Sequence, residues 1–375
     1  MIHGERLRQA RELAGLTQRE LAEAAGIPQP RLSTAERRGD QLPVAVMTEI
    51  AAATGFPVEF FESEPALQLP EEPAHFRSQA SVRAGQIKQA RRAGELIAEQ
   101  ALRMRRSLRS PRLRLTEPFL ESGSAARDVS PEQAAVEARA QLGLPPGEPV
   151  TDVPLTLERA GLLVVGLPLP AFRKDAFSHW IGDLPFVALL HTDAGDRQAW
   201  STAHELGHLL LHRNVTQHRN LEAAADEFAM HFLLPLHAFG RELPANPTLQ
   251  HFAMLKRRWG VSIQAMIRTA RRLEAIDPDR YTSLFRQISA RGERLKERAA
   301  LAPIKPRAFH KMAEILYGPA PADGLARDAR WTIGFAEQVL SRHATAGELP
   351  SRRLLAPASS SNVTELDRRR LRTHG

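Results

Sequence analysis

The stretch Trp200–Pro235, WSTAHELGHLLLHRNVTQHRNLEAAADEFAMHFLLP, decides how this chain is read. It holds an H-E-x-x-H, His204-Glu205-Leu206-Gly207-His208, followed by Glu222-x-x-x-Asp226. On a helix, residues four apart share a face and are separated by about 6 Å of rise. His204 and His208 can therefore aim two imidazoles at one ion, and Glu205, offset around the helix, can reach a water bound there. Ala203, Leu206, Leu209 and Leu210 give the segment an amphipathic helical pattern without proline. Gly207 costs about 1 kcal/mol in a helix interior relative to alanine, so it needs a reason. A helix approaching closely between the two histidines supplies one. Leu221 to Leu234 is the expected neighbour: Ala225 and Ala229 leave a small-residue face, and Phe228 and Phe232 add core volume.

Composition narrows the chemistry. The 375 residues suffice for two or three domains with real cores. Cysteine is absent, so a metal must be held by His, Asp or Glu. The first residues, MIHGERLRQARELAG, are charged and amphipathic, and no run approaches 18 apolar residues. A soluble, cytoplasmic protein with no membrane partner is expected. The net charge of +8 is unevenly spread. Residues 1–64 carry seven arginines against ten acids, whereas residues 77–114 carry eleven Lys/Arg against Glu95 and Glu99. The basic surface follows the first domain and is not in it.

Residues 4–62 read as five short helices: Gly4 to Ala14, Thr17 to Ala24, Gln29 to Arg37, Pro43 to Thr54, and one opened by Pro57. Thr17 with Glu20 forms a capping box, and Gly26 makes the tight turn into the third helix. Thr17-Gln18-Arg19-Glu20-Leu21-Ala22-x-x-x-Gly26-Ile27, then Leu32-Ser33-x-x-Glu36-x-x-Gly39, resembles the helix-turn-helix of the Cro/repressor (XRE) family. The resemblance implies DNA binding, with Gln29, Arg31, Ser33 and Thr34 turned toward base edges or phosphates. Two features weigh against strong binding: Pro28 and Pro30 at the start of that helix, and the acidic balance of the domain. A module that kept the fold for protein interaction or dimerisation is the alternative.

A proline- and acid-rich linker, Glu64 to Pro73, leads to a long basic helix over Gln79 to Leu108. Its positions Ile87, Ala90, Gly94, Ile97, Ala101, Met104 and Leu108 alternate steps of three and four, a weak coiled-coil seam. Such a seam suits packing on the chain's own next domain or a homodimer. The basic faces suit a DNA backbone, an acidic partner or plain solvent. A capped helix from Asp128-Val129-Ser130-Pro131 to Leu142 follows, then a short one from Leu155 to Ala160. Gly161 to Gly166, Ala176 to Trp180 and Phe186 to Leu190 read as strands. Further helices are expected at Thr248 to Trp259, Ile263 to Ala275, Tyr281 to Ala300, Ala308 to Leu316 and Trp331 to His343.

The expected whole is multidomain and mainly α. A helix-turn-helix domain (1–64) and a linker with the long helix (65–127) precede an α+β zinc domain with a small sheet (128–300). A helical C-terminal extension (301–349) and a disordered tail (350–375) complete it.

Zinc on two histidines needs a third protein ligand and an open position. A metzincin puts a third histidine ten residues after the first, with Gly at the seventh; Asn214 and Leu211 stand there. Glu222-x-x-x-Asp226 instead resembles the gluzincin pattern. That likeness implies Glu222 as third ligand, Asp226 bonded to a ligand histidine's far nitrogen, and Glu205 as general base. For an oxyanion donor, His212 is the first candidate, ahead of His218, His231 and Tyr281. With a helix-turn-helix upstream, the central block resembles the ImmA/IrrE metallopeptidases. The likeness rests on the Ala203–His212 run, Glu222-x-x-Ala225-Asp226-x-Phe228-Ala229, Leu233-Leu234-Pro235 and Trp259-Gly260-Val261-Ser262. His75-Phe76-Arg77 also fits fused members, whereas His191 departs, since many relatives have Asn there. The family resemblance implies a regulatory zinc endopeptidase that cuts a partner repressor, often itself a helix-turn-helix protein, to switch on phage, mobile-element or stress genes. The alternatives are a DNA-binding regulator whose zinc domain senses or stabilises, and an antitoxin-like interaction protein.

Overall fold

The computed structural model describes residues 2–70, 84–115, 129–171, 175–213 and 220–345. His75-Phe76-Arg77, His218 and the expected tail lie outside these residues.

Local signals set the first five helices: α1 Gly4–Leu13, α2 Gln18–Ala24, α3 Gln29–Arg38, α4 Val44–Thr54 and α5 Val58–Phe61. The Thr17 hydroxyl accepts from the Glu20 N–H at 3.2 Å, and the Thr17 N–H donates to the Glu20 carboxylate at 2.7 Å, the expected capping box. Gly26 takes φ +63, which only glycine adopts cheaply, to turn α2 into α3. Leu7, Leu21, Leu32, Ile50 and Phe61 form the small core.

The long helix α6, Ala84–Arg106, is not an exposed strut. Ala90, Gly94, Ile97, Ala101 and Met104 of the expected seam are all buried within the chain, against α1 on one side and the sheet on the other. The seam is thus consumed internally, which removes the basis for a homodimer through it. Nor is its charge all solvated. Arg92, 1% exposed, meets Glu5, Glu12 and Glu95, each at 2.7 Å. Arg6 meets Glu99 at 2.6 Å, and Gln9 donates to Glu95 at 3.2 Å. The acidic first domain and the basic helix partly neutralise one another.

Three strands follow α7 Pro131–Gln141 and α8 Val153–Arg159: β1 Leu163–Pro170, β2 Ala176–Ile181 and β3 Leu184–His191, in the order β1-β3-β2. β1 runs parallel and β2 antiparallel to the central β3. β1 extends four residues past the expected Gly166, through Pro168 and Pro170, because an edge strand tolerates residues without an N–H. Side chains alternate between faces. Leu163, Val165, Phe177, Phe186 and Ala188 join the core shared with α6 and the first domain, while Val164, Val187 and Leu189 join the core of the site helices.

The second core is built by α9 Gly195–Leu211, α10 Leu221–Leu233, α11 Leu236–Glu242, α12 Leu249–Trp259, α13 Ile263–Arg272 and α14 Pro278–Ala290. α14 stops ten residues before the expected Ala300. Gly292 turns with φ +70, and Glu297 folds back to accept from the Ile263 and Gln264 N–H groups at the start of α13. The same carboxylate meets buried Lys256, which also holds Asp196 in the first turn of α9 at 2.9 Å. Lys256 thereby ties the start of α9 to the carboxylate that caps α13.

Beyond these, α15 Ala308–Tyr317 packs on α6 and β1, α17 Ile333–Ser341 on β1, and α16 Ala322–Ala329 on α15 and α17. α11 and α16 have no counterpart among the expected helices; each is too short for a helical period to declare itself. Just past α17, the fully buried His343 donates from Nδ1 to the Val339 carbonyl at 2.9 Å. Its Nε2 accepts from the Gly166 N–H on the outer edge of β1 at 3.0 Å. Acceptance at Nε2 requires the neutral ring, and burial pushes its pKa down to about 4. The folded pKa lies below the unfolded value, so this stabilisation is complete above pH 6.5 and is lost as pH falls through 4. It amounts to on the order of 3 kcal/mol. The urea midpoint of wild type should therefore fall more steeply between pH 6.5 and 4 than that of His343→Gln. Parallel slopes would refute the assignment.

Candidate metal centre

The amphipathic pattern puts Ala203, Leu206, Leu209 and Leu210 of α9 in the core and turns His204 and His208 to one partly open face. α10 crosses at Gly207, as its sequence context requires. A Cβ there would lie 3.0 Å from Phe228 Cδ1 and 3.2 Å from Ala225 Cα. This close crossing carries Glu222 up to the histidines.

His204 Nε2 and His208 Nε2 are 3.0 Å apart, and the Glu222 carboxylate reaches them at 3.4 and 3.5 Å. Neighbouring ligand atoms around a tetrahedral zinc, with bonds of about 2.0–2.1 Å, stand roughly 3.3 Å apart. The three side chains therefore fit a zinc ion, and among the described residues they are the one group of this kind. The charges agree. Burial works against charge on His204, but the Asp226 and Glu222 carboxylates outweigh it and hold its pKa at about 9. Hydrogen bonds from His204 and His208 keep Glu222 far below the usual carboxylate range. Two imidazole nitrogens turned on each other beside a carboxylate require a cation between them, a proton or a metal.

The far nitrogens are also occupied. His204 Nδ1 lies 2.9 Å from Asp226 Oδ1, which also accepts from Trp200 Nε1 at 3.3 Å. His208 Nδ1 lies 2.9 Å from His212 Nδ1. His212 thus stands behind His208, at the ring nitrogen turned away from Glu222. Its Nδ1 is therefore engaged with His208. His231 is buried between Glu132 and Glu227, Tyr281 packs on Phe285, and His191 reaches Asp193 at the end of β3.

Glu205, next to His204 on α9, is buried, and its Oε2 accepts from Ser178 Oγ at 2.7 Å. Two residues along β2 on the same face, Trp180 Nε1 donates to the Leu209 carbonyl at 3.0 Å. β2 therefore grips α9 with two side chains. Ser178 is absent from the residues singled out by sequence; its only signal is a hydroxyl inside the apolar run Ala176–Ile181.

On the first domain, Gln29 and Arg31 stand exposed at the start of α3, and Ser33 and Thr34 are half-buried. The Thr34 hydroxyl donates to the Pro30 carbonyl. Gln29 Nε2 donates to Gln18 Oε1 at 2.8 Å, and Gln18 in turn donates to Glu36, a polar chain that orients Gln29. Nothing in the local sequence marks Gln18 for that part.

The fold and the two surfaces define a class: a helix-turn-helix domain joined to a domain with a two-histidine, one-glutamate centre. Family models agree. Residues 7–61 match a helix-turn-helix model, and residues 157–271 match the Peptidase_M78 model, an IrrE N-terminal-like domain. The chain thus joins an XRE-type helix-turn-helix domain to an IrrE N-terminal-like domain. No curated protein matches it. Among the described residues, no helix is long and apolar enough to cross a membrane.

Proposed function

We propose that the chain is a regulatory zinc endopeptidase that cuts one specific protein, a helix-turn-helix transcriptional repressor, and that residues 1–64 bind DNA. The observation carrying this is the convergence of His204, His208 and Glu222 beside a buried Glu205. A purely structural zinc needs no such carboxylate. His204, His208 and Glu222 would hold the ion; Asp226 fixes the His204 tautomer so that Nε2 is free. When bound, zinc supplies Lewis acidity, acidifying a water and polarising a peptide carbonyl. Glu205 accepts the proton that the attacking water gives up and hands it to the leaving amine nitrogen as the C–N bond breaks. Ser178 donates to Oε2 and so steers Glu205, leaving its other oxygen for that proton. Among the described residues β2 is a sheet edge, along which an extended peptide can lie beside Glu205.

A second reading, a DNA-binding regulator whose zinc domain senses or stabilises, is favoured by the exposed Gln29 and Arg31 on α3. One experiment separates them. The purified full chain is incubated with the helix-turn-helix repressor encoded beside it, with zinc, with 1,10-phenanthroline, and with zinc restored. Fragments that disappear with the chelator and return with zinc are expected. A repressor left intact by the zinc-loaded chain would favour the second reading.

A further inference from the structure

The two ligand histidines are backed by different partners: Asp226, a carboxylate, behind His204, and His212, a second imidazole, behind His208. We infer that His212 is a positioning residue that sets the tautomer of His208 for metal binding. This rests on the metal reading of the centre but not on peptidase activity.

Two Nδ1 atoms 2.9 Å apart share a single proton between them. If His212 held it, a neutral His208 would carry its own proton on Nε2. That proton would point at His204 Nε2, 3.0 Å away, and block the position facing Glu222. With the proton on His208 Nδ1, its Nε2 lone pair is free and turned to the same point as that of His204. Only this arrangement serves a metal, and it requires His212 to accept through Nδ1, with its own proton on Nε2.

The backbone prepares His212 for the part. It is the C-cap of α9, with φ −123 and ψ 14, and its N–H still donates to the His208 carbonyl at 3.0 Å. Leaving helical geometry there brings its ring to 5.1 Å from that of His208, centroid to centroid. The choice of an imidazole has a consequence for charge. A carboxylate at this position would join Glu205, Glu222 and Asp226 and weaken the Lewis acidity of a bound cation. An imidazole orients His208 without adding a negative charge.

The test measures zinc affinity of the full chain by competition with a chromophoric chelator, in wild type, His212→Leu and His212→Asn. Asparagine's Oδ1 can accept where Nδ1 does. The leucine variant should bind zinc about 10- to 100-fold more weakly, and the asparagine variant within a few-fold of wild type. Wild-type affinity in the leucine variant overturns the inference, as does an equal loss in both variants. Long-range 1H–15N spectra of zinc-loaded wild type provide a second measurement, independent of either variant's folding. His212 should show a protonated Nε2 and an unprotonated Nδ1; the reverse pattern overturns the inference. A wild type that binds no zinc sinks this inference and the metal reading together. The expected affinities without any repressor cleavage sink the peptidase reading alone.

Discussion

Glu205→Gln is expected to lower repressor cleavage by roughly 10^2- to 10^4-fold, the usual range for losing a general base. Zinc content and thermal midpoint should stay at the wild-type level. The substitution is nearly isosteric, and its local partner adapts: the Ser178 hydroxyl, which donates to Glu205 Oε2 at 2.7 Å, can rotate to accept from a glutamine amide. His204, His208 and Glu222 keep their places, so metal binding is untouched. What disappears is the site that accepts a proton. DNA binding by the same variant should be unaltered, because Gln29 and Arg31 lie on a different core. Undiminished cleavage by Glu205→Gln would mean that another group is the base. Full cleavage together with lost zinc would refute the metal reading as well.

How far the sequence reached depended on the range of the interaction. Capping boxes at Thr17 and Ser130, the positive-φ glycines and the i, i+4 pair His204/His208 are written within one or two turns, and they stand in the structure where local sequence puts them. Gly207 is legible for a related reason: an unfavourable residue in a strong helical pattern demands a close neighbour, and Ala225 and Phe228 provide it. Partners brought together from a distance leave little local trace. Ser178 is 27 residues from Glu205, and His343 is 177 from Gly166. His212 is a mixed case: i+4 spacing places it near His208, while the departure from helical geometry at the C-cap is not written in the local pattern. The largest gap concerns α6. Its sequence is basic with a thin apolar seam, and periodicity cannot tell a solvated charge from one buried against an acid of another helix.

That buried charge leads to the second large expectation. Arg92→Ala should destabilise the chain by about 3–5 kcal/mol at pH 7–8, read from urea unfolding. The guanidinium is 1% exposed and holds Glu5, Glu12 and Glu95 at 2.7 Å each. Burial alone would raise the Glu12 pKa, but the hydrogen bond and charge of Arg92 outweigh it and hold the group below its ordinary value. Removing Arg92 reverses that balance. Among the described residues, Glu12 then keeps the counter-charges of Arg8 and Arg11, and Glu95 that of Arg91 at 3.9 Å. The folded pKa of Glu12 then rises, so the variant regains stability as pH falls and this carboxyl protonates. The gap to wild type should therefore be widest near neutrality and narrow below pH 5. A gap independent of pH would mean that the loss is one of packing, not of charge. The lesion also has a direction. α1 is fixed to α6 through Arg6, Gln9, Glu12 and Arg92, and α6 lies against the sheet whose other face supports α9. Limited proteolysis of Arg92→Ala should accordingly release residues 1–64 before it cuts within residues 157–271. Simultaneous loss of both would show that the shared core, not the charged cluster, joins the two.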